Sequence, residues 1–250
     1  GLIGNSKANT SKGGMLTSNS NIANYNSFGQ DWVNIPGVAG ADSVSFSGNS
    51  SAYSFEMSHN GKYLFIYYLG DEIQRYVLGT AYDINTRDVN ADQYFETDNY
   101  GEDDGRIVRW SSDGHELYIS GVDHEVVYQW HTDTPWDMGT QGSKLKLGDR
   151  RYYKATDVSK CNDIVLSSDG TKMFLLDGSS DNIDQYTLST AYDVSTASHD
   201  GVRDISDYVG TPLGFGFSND GTSVFILDYS GPEVVKYDLG SDWDVTNQDW

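Results

Sequence analysis

The side chains with the most chemical potential lie in one stretch. His115-Glu116 and His124-Glu125 are followed by His131, and a histidine followed by glutamate is how the H-E-x-x-H zinc motif begins. The fifth positions are Ile119 and Tyr128 instead of histidine. The motif also needs a helix to bring two imidazoles onto one face, whereas these segments read as strands. A second candidate, Asp98-Asn99-Tyr100-Gly101-Glu102-Asp103-Asp104-Gly105, is dense in the hard oxygen ligands that calcium prefers. Its spacing is not that of an EF-hand, and it reads as a solvated acidic loop. With 37 Asp and Glu, carboxylate pairs at glycosidase spacing arise by abundance alone and single out none. No nucleophile elbow or phosphate loop occurs. The residue types therefore predict no catalytic residue, no cofactor and no metal, and a chain that is not an enzyme.

Composition narrows the partners. The 250 residues carry a formal charge of −21. A phosphate-tracking surface needs a basic stripe and an anionic membrane attracts cations, so neither nucleic acid nor membrane is expected as a partner. One cysteine, Cys161, cannot form an internal disulfide. The charge is unevenly placed: residues 1–30 hold Lys7 and Lys12 and no acid, which leaves −23 on residues 31–250. Eighteen Tyr, six Trp and nine Phe beside 27 Gly and four Pro favour short strands and tight turns over helices.

The elements that must carry these side chains recur. Ser167-Ser168-Asp169-Gly170 is followed by an apolar run, and the pattern repeats around Gly61, Gly114 and Gly221 at steps of 53, 56 and 51 residues. A second landmark, Tyr76, Trp130, Tyr186 or Tyr237, lies 15 or 16 residues after each glycine. Seven residues further on stands the Asp of an aromatic-Asp pair: Asp83, Asp137, Asp193 and Asp244. Each copy reads as four antiparallel strands, with the Asn-Gly or Asp-Gly pair supplying a two-residue hairpin. The repeated aspartates read as turn caps that accept backbone N–H groups. Four-stranded units at this period are the signature of propeller blades. The expected fold is all-β: a four-bladed β-propeller over residues 31–250, with blades starting near 50, 106, 162 and 213. A strand within 31–47 is expected to close the ring.

The string Ser167-Ser168-Asp169-Gly170 through Gln185-Tyr186-Thr187-Leu188-Ser189-Thr190-Ala191-Tyr192-Asp193-Val194-Ser195-Thr196 resembles a propeller repeat of virion proteins of marine tailed phages. Related repeats occur in secreted or surface proteins of bacteria. The resemblance covers residues 50–250. The second copy departs from it, with Trp130-His131-Thr132 where the pattern has Tyr-x-Leu, and with Pro135 before the aromatic-Asp pair. The resemblance implies a non-enzymatic structural role on a phage particle, as capsid decoration or as part of a tail. It brings no catalytic residues.

Residues 1–30 are rich in Asn, Ser and Gly, and such a segment buries too little apolar surface to order itself alone. They read as an extended anchoring arm, with Lys7, Lys12, Tyr25 and Phe28 as its contacts to other virion proteins or to copies of the same chain. A recognition face is expected where blades differ, in the loops between second and third strands. Its candidates are Tyr68, Asp71, Tyr100, Asp123, Asp177 and Tyr229. The alternative functions are a lectin-like or adhesin-like propeller binding host-surface glycan or protein, outside the virion at a cell surface, and, more weakly, a glycan-cleaving enzyme.

Overall fold

In the computed structural model, residues 51–69, 71–98, 105–121, 125–140, 143–145, 150–231 and 233–247 are described. The expected arm over 1–30, the closing strand within 31–47 and the candidates Lys7, Lys12, Tyr25, Phe28, Tyr100 and Asp123 lie outside them.

The chain forms a four-bladed β-propeller, four antiparallel sheets in chain order. Blade 1 holds β1 (Ala52–Met57), β2 (Tyr63–Tyr68), β3 (Glu72–Val77) and β4 (Gln93–Glu96). Blade 2 holds β5 (Gly105–Trp110), β6 (Glu116–Gly121), β7 (Val126–His131) and β8 (Arg150–Lys154). Blade 3 holds β9 (Cys161–Leu166), β10 (Lys172–Asp177), β11 (Asn182–Leu188) and β12 (Ala197–Asp204). Blade 4 has three strands among the described residues: β13 (Pro212–Phe217), β14 (Ser223–Asp228) and β15 (Glu233–Asp238).

The first hairpin of each blade differs from the two-residue turn expected. Five residues separate the strands, and only the glycine takes positive φ, at 70°, 79°, 69° and 72° for Gly61, Gly114, Gly170 and Gly221. The reason is side-chain chemistry. Asp169 Oδ1 accepts from Ser167 Oγ at 2.7 Å and from Thr171 N at 3.0 Å, so the carboxylate bridges a wider turn that an isolated Asp-Gly pair would close tightly. Ser111-Asp113 and Ser218-Asp220 repeat the arrangement, and Asn60 serves in the first blade. These bonds stabilise the ionised form. Hydrogen bonds from Ser218 and Thr222 hold the Asp220 carboxyl down at about 2.

The aromatic-Asp pair locks onto this turn. Tyr192 sits at φ 63° and its N–H donates to Gly170 O at 2.8 Å. Its ring lies flat over the glycine, so that an added Cβ would come within 2.4 Å of the ring. Tyr82 on Gly61, Trp136 on Gly114 and Trp243 on Gly221 do the same. The Asp that follows caps a short turn: Asp83, Asp137, Asp193 and Asp244 accept from the N–H two residues on at 2.9–3.0 Å. The repeat's three landmarks are thus one locked unit.

Between blades the core is apolar. Phe65, Tyr67 and Ile73 of blade 1 pack on Val108, Trp110, Leu117 and Ile119 of blade 2. Tyr118 and Val127 of blade 2 pack on Ile164, Met173 and Leu175 of blade 3. Phe174, Leu176 and Ile183 of blade 3 pack on Phe215, Phe217, Val224 and Ile226 of blade 4. Polar links run the same way. Gln129 Nε2 donates to Tyr192 O at 2.6 Å while its Oε1 accepts from Val194 N, Gln185 Oε1 accepts from Val245 N, and Arg75 donates to Trp136 O.

Candidate functional site

Among the described residues, several charged side chains break the repeat, including the Asp184–His199 pair of blade 3, and two further groups stand apart from it. The first lies on the inner strands. Arg109 of β5 is buried, with Nη2 2.5 Å from Asp163 Oδ1 of β9 and Nη1 3.6 Å from Glu56 Oε2 of β1. Asp163 also accepts from Phe215 N of β13 at 3.1 Å and from Ile164 N at 2.8 Å, so the trio ties together all four inner strands. Burial pushes the Glu56 carboxyl up to about 8. At neutral pH Glu56 therefore holds its proton, and the trio balances one guanidinium against one carboxylate. A buried, neutralised group of this kind acts as a structural pin.

The second lies at the surface between blades 2 and 3. In every blade the residue two after the hairpin glycine faces, across the sheet, the residue after the aromatic landmark: Tyr63 opposite Val77, Lys172 opposite Thr187, Ser223 opposite Asp238. In blade 2 that cross-strand pair is Glu116 and His131. His131 Nδ1 lies 2.7 Å from Glu116 Oε1, and Gln129 Nε2 donates to Glu116 Oε2 at 2.6 Å. His115 Nδ1 lies 2.7 Å from the Thr132 carbonyl, and the two imidazoles stack with centroids 5.7 Å apart and planes 17° apart. Carbonyl and carboxylate oxygens only accept, so each ring donates from Nδ1, and Nε2 has no partner among the described residues. His115, Glu116 and His131, together with Asp113, Asp133, Ala191 and Tyr192, line a cleft of about 340 Å³.

A carboxylate that orients an imidazole is an arrangement able to act as a general base. The sequence placed His115 and His131 near each other but weighed them only as zinc ligands; His124 lies outside the described residues. Among the described residues no three His, Cys, Asp or Glu side chains converge as a metal would need. The Glu116–His131 pairing was legible in principle, since aligning the four copies puts these positions opposite one another.

The expected recognition face separates. Tyr68 is buried, its hydroxyl 3.2 Å from that of Tyr76. Asp177 is buried too and accepts from Ser159 N and Ser179 N. Tyr68 belongs to an apolar cluster of blade 1, and Asp177 ties the turns around Ser159 and Ser179. Asp71 is half-buried with φ 61°, whereas Tyr229 is 71% exposed.

No family model matches the chain, and no curated protein matches it. Solved structures do. A putative 6-phosphogluconolactonase from Bacteroides fragilis is similar at 15% identity and a TM-score of 0.52, covering 75% of this chain and 50% of that one. The periplasmic gluconolactonase of Pseudomonas aeruginosa is similar at 16% and 0.50, covering 76% and 55%. A chain of a mitotic checkpoint complex is similar at 14% and 0.50, covering 78% and 53%. This chain thus spans about half the length of the solved proteins it matches, and the likeness is one of fold. The expectation that the chain is not an enzyme is corrected by these neighbours: the blades stack as they do in proteins described as lactonases, and the absence of a known catalytic motif does not exclude chemistry on a shared scaffold.

Proposed function

We propose that this chain is a propeller hydrolase carried on a phage particle, acting on an uncharged sugar-derived lactone or ester in the cleft between blades 2 and 3. The observation that carries this is the Glu116–His131 pair, which borders a cleft; the Asp184–His199 pair of blade 3 is not among the residues lining it. Water held at His131 Nε2 attacks the acyl carbon as the imidazole takes its proton. The acyl C–O bond then breaks, and the leaving alkoxide takes the proton back from His131. Glu116 keeps the ring oriented and offsets its charge while it is protonated. Asp113 and Asp133 also line the cleft, so an anionic substrate such as a phosphorylated lactone is repelled and a neutral one is not. The lactonase-like neighbours suggest which substrates to try first, and the repeat resemblance supports the phage setting.

The test is a pH-stat assay with glucono-δ-lactone, 6-phosphogluconolactone and an acetylated polysaccharide. Turnover of an uncharged substrate above the buffer rate, lost in His131→Gln, is the expected result. Silence of the native chain on all uncharged substrates overturns the hydrolase. A second reading, glycan recognition without turnover, draws on the exposed ring of Tyr229; a glycan array reporting specific binding in an inactive protein would favour it. Peptides of this chain in purified particles would test the phage setting.

A further inference from the structure

The Glu116–His131 pair rests on one buried amide. Gln129 of β7 is 0% exposed and pairs across the sheet with Tyr118, which puts it diagonally opposite Glu116 on the same face. Its Nε2 carries two N–H groups, and both are spent. One goes to Glu116 Oε2 and the other to the Tyr192 carbonyl of blade 3, each at 2.6 Å. Its Oε1 accepts from Val194 N at 2.8 Å. A backbone N–H only donates and a carbonyl only accepts, so this amide has one possible orientation. The Tyr118 hydroxyl donates to the same Tyr192 carbonyl at 2.9 Å. Gln129 therefore ties the acid that meets His131 to the blade 3 wall of the cleft, where Tyr192 stands.

Blade 3 shows which part of this is repeated. Gln185 lies fifteen residues after Gly170, as Gln129 does after Gly114. It too accepts from the next blade, from Val245 N at 2.9 Å. Its Nε2 goes to Asp200 Oδ2 at 3.1 Å, a carboxylate held by Lys172 Nζ and Thr187 Oγ1, each at 2.8 Å. The tie to the next blade is thus common to both amides. In blade 2 the remaining N–H grips a carboxylate whose other oxygen meets an imidazole.

We infer that Gln129 is the positioning residue of this site. By fixing Glu116 Oε2 it keeps Oε1 aimed at His131 Nδ1, and so decides which ring nitrogen holds the proton when the imidazole is neutral. A carboxylate bonded through one oxygen can still rotate, and a second bond removes that freedom. Arg151 also approaches Glu116 Oε2, but at 3.9 Å and from a side chain 43% exposed. Solvent weakens such a contact, so the short buried bond from Gln129 dominates. With the proton on Nδ1, a neutral ring has its lone pair on Nε2, where a base is needed; with the proton on Nε2 it has none there. The consequence for turnover rests on the hydrolase reading, whereas the hold on the ring does not.

Nitrogen-15 spectra of the imidazoles at alkaline pH, where histidine is neutral, test this. His131 of the native chain is expected to be protonated on Nδ1, and in Gln129→Met to shift toward the form protonated on Nε2. Glu116→Gln gives a second reading. Gln129 would grip the new amide by its oxygen and turn its N–H groups toward His131, so the ring should invert to Nε2–H. A native ring protonated on Nε2 overturns the inference, as does a folded Gln129→Met whose ring keeps its Nδ1 proton. Glu116→Gln with an Nδ1-protonated ring overturns it as well, and decides the matter if Gln129→Met fails to fold. In turnover of an uncharged lactone, kcat of Gln129→Met should fall about tenfold or more. An unchanged kcat beside a shifted ring overturns the part of Gln129 in catalysis. A native chain silent on every substrate overturns the hydrolase and leaves the ring spectra to decide Gln129. Turnover with a ring that Gln129→Met does not alter overturns Gln129 and leaves the hydrolase standing.

Discussion

The buried trio Glu56–Arg109–Asp163 and the surface group Glu116–His131–His115 use related chemistry for opposite ends. Both set carboxylate against a nitrogen base on neighbouring strands. In the trio every charge is withdrawn from water and one carboxyl is forced to keep its proton. Arg109 and Asp163 are spent on each other and on backbone groups, while Glu56 Oε2 and Arg109 Nε have no hydrogen-bond partner among the described residues. In the cleft His131 is exposed and each imidazole spends Nδ1 on an acceptor, with Nε2 unpartnered among the described residues. Burial converts ionisable groups into fasteners, whereas partial exposure beside an orienting acid leaves one able to exchange protons with a ligand.

That contrast can be broken most forcefully at Arg109. Arg109→Met leaves Asp163 buried and unpaired, and should cost about 3–5 kcal/mol in denaturant unfolding. A loss under about 1 kcal/mol would mean that the trio is not a pin. His131→Gln should do the reverse: turnover of an uncharged lactone falls by about 10²–10⁴-fold while the melting midpoint stays near that of the native chain. A large shift in the midpoint would put His131 with the fasteners.

Gly170→Ala probes the lock that both regions depend on. At φ 69°, with the Tyr192 ring in the path of a new Cβ, it should cost about 1–3 kcal/mol. Because Tyr192 lines the cleft, KM should rise as well. An unchanged midpoint would show that the aromatic does not clamp the turn.

The pH dependence of the trio tests the same contrast from another side. Glu56 holds its proton far more tightly folded, at about 8, than its ordinary value of 4.5. Its contribution is therefore fully present below about pH 4.5 and is lost as pH rises through about 8. The difference in stability between the native chain and Glu56→Gln should change across that window and be flat above it. A difference that does not vary with pH would show that Glu56 is ionised in the folded chain.

Much of the fold was legible beforehand because the blade is a local object. Its landmarks act within about 25 residues of one another, and Ser-x-Asp-Gly, the aromatic and the capping aspartate each serve a nearby turn. The wider hairpin was missed because the serine and aspartate side chains, not the Asp-Gly pair alone, set its length. The cleft was half legible: His115 and His131 drew notice by type, but the partner of His131 is fixed by cross-strand register. That Tyr68 and Asp177 are buried could not be read from the sequence, because a position beside a loop does not reveal which side chains turn inward.

By itself, then, the sequence determined the blade, its number of copies in this chain and the turn chemistry, because those depend on contacts close along the chain. Tertiary structure alone decided that Arg109 would meet acids from two other blades, that His131 would border a cleft with a neighbouring blade's Tyr192, and that Phe55, Leu227 and Val234 would face outward. Each of those outcomes joins residues fifty or more positions apart, or depends on which blade stands next. No periodicity read along a single chain carries that information.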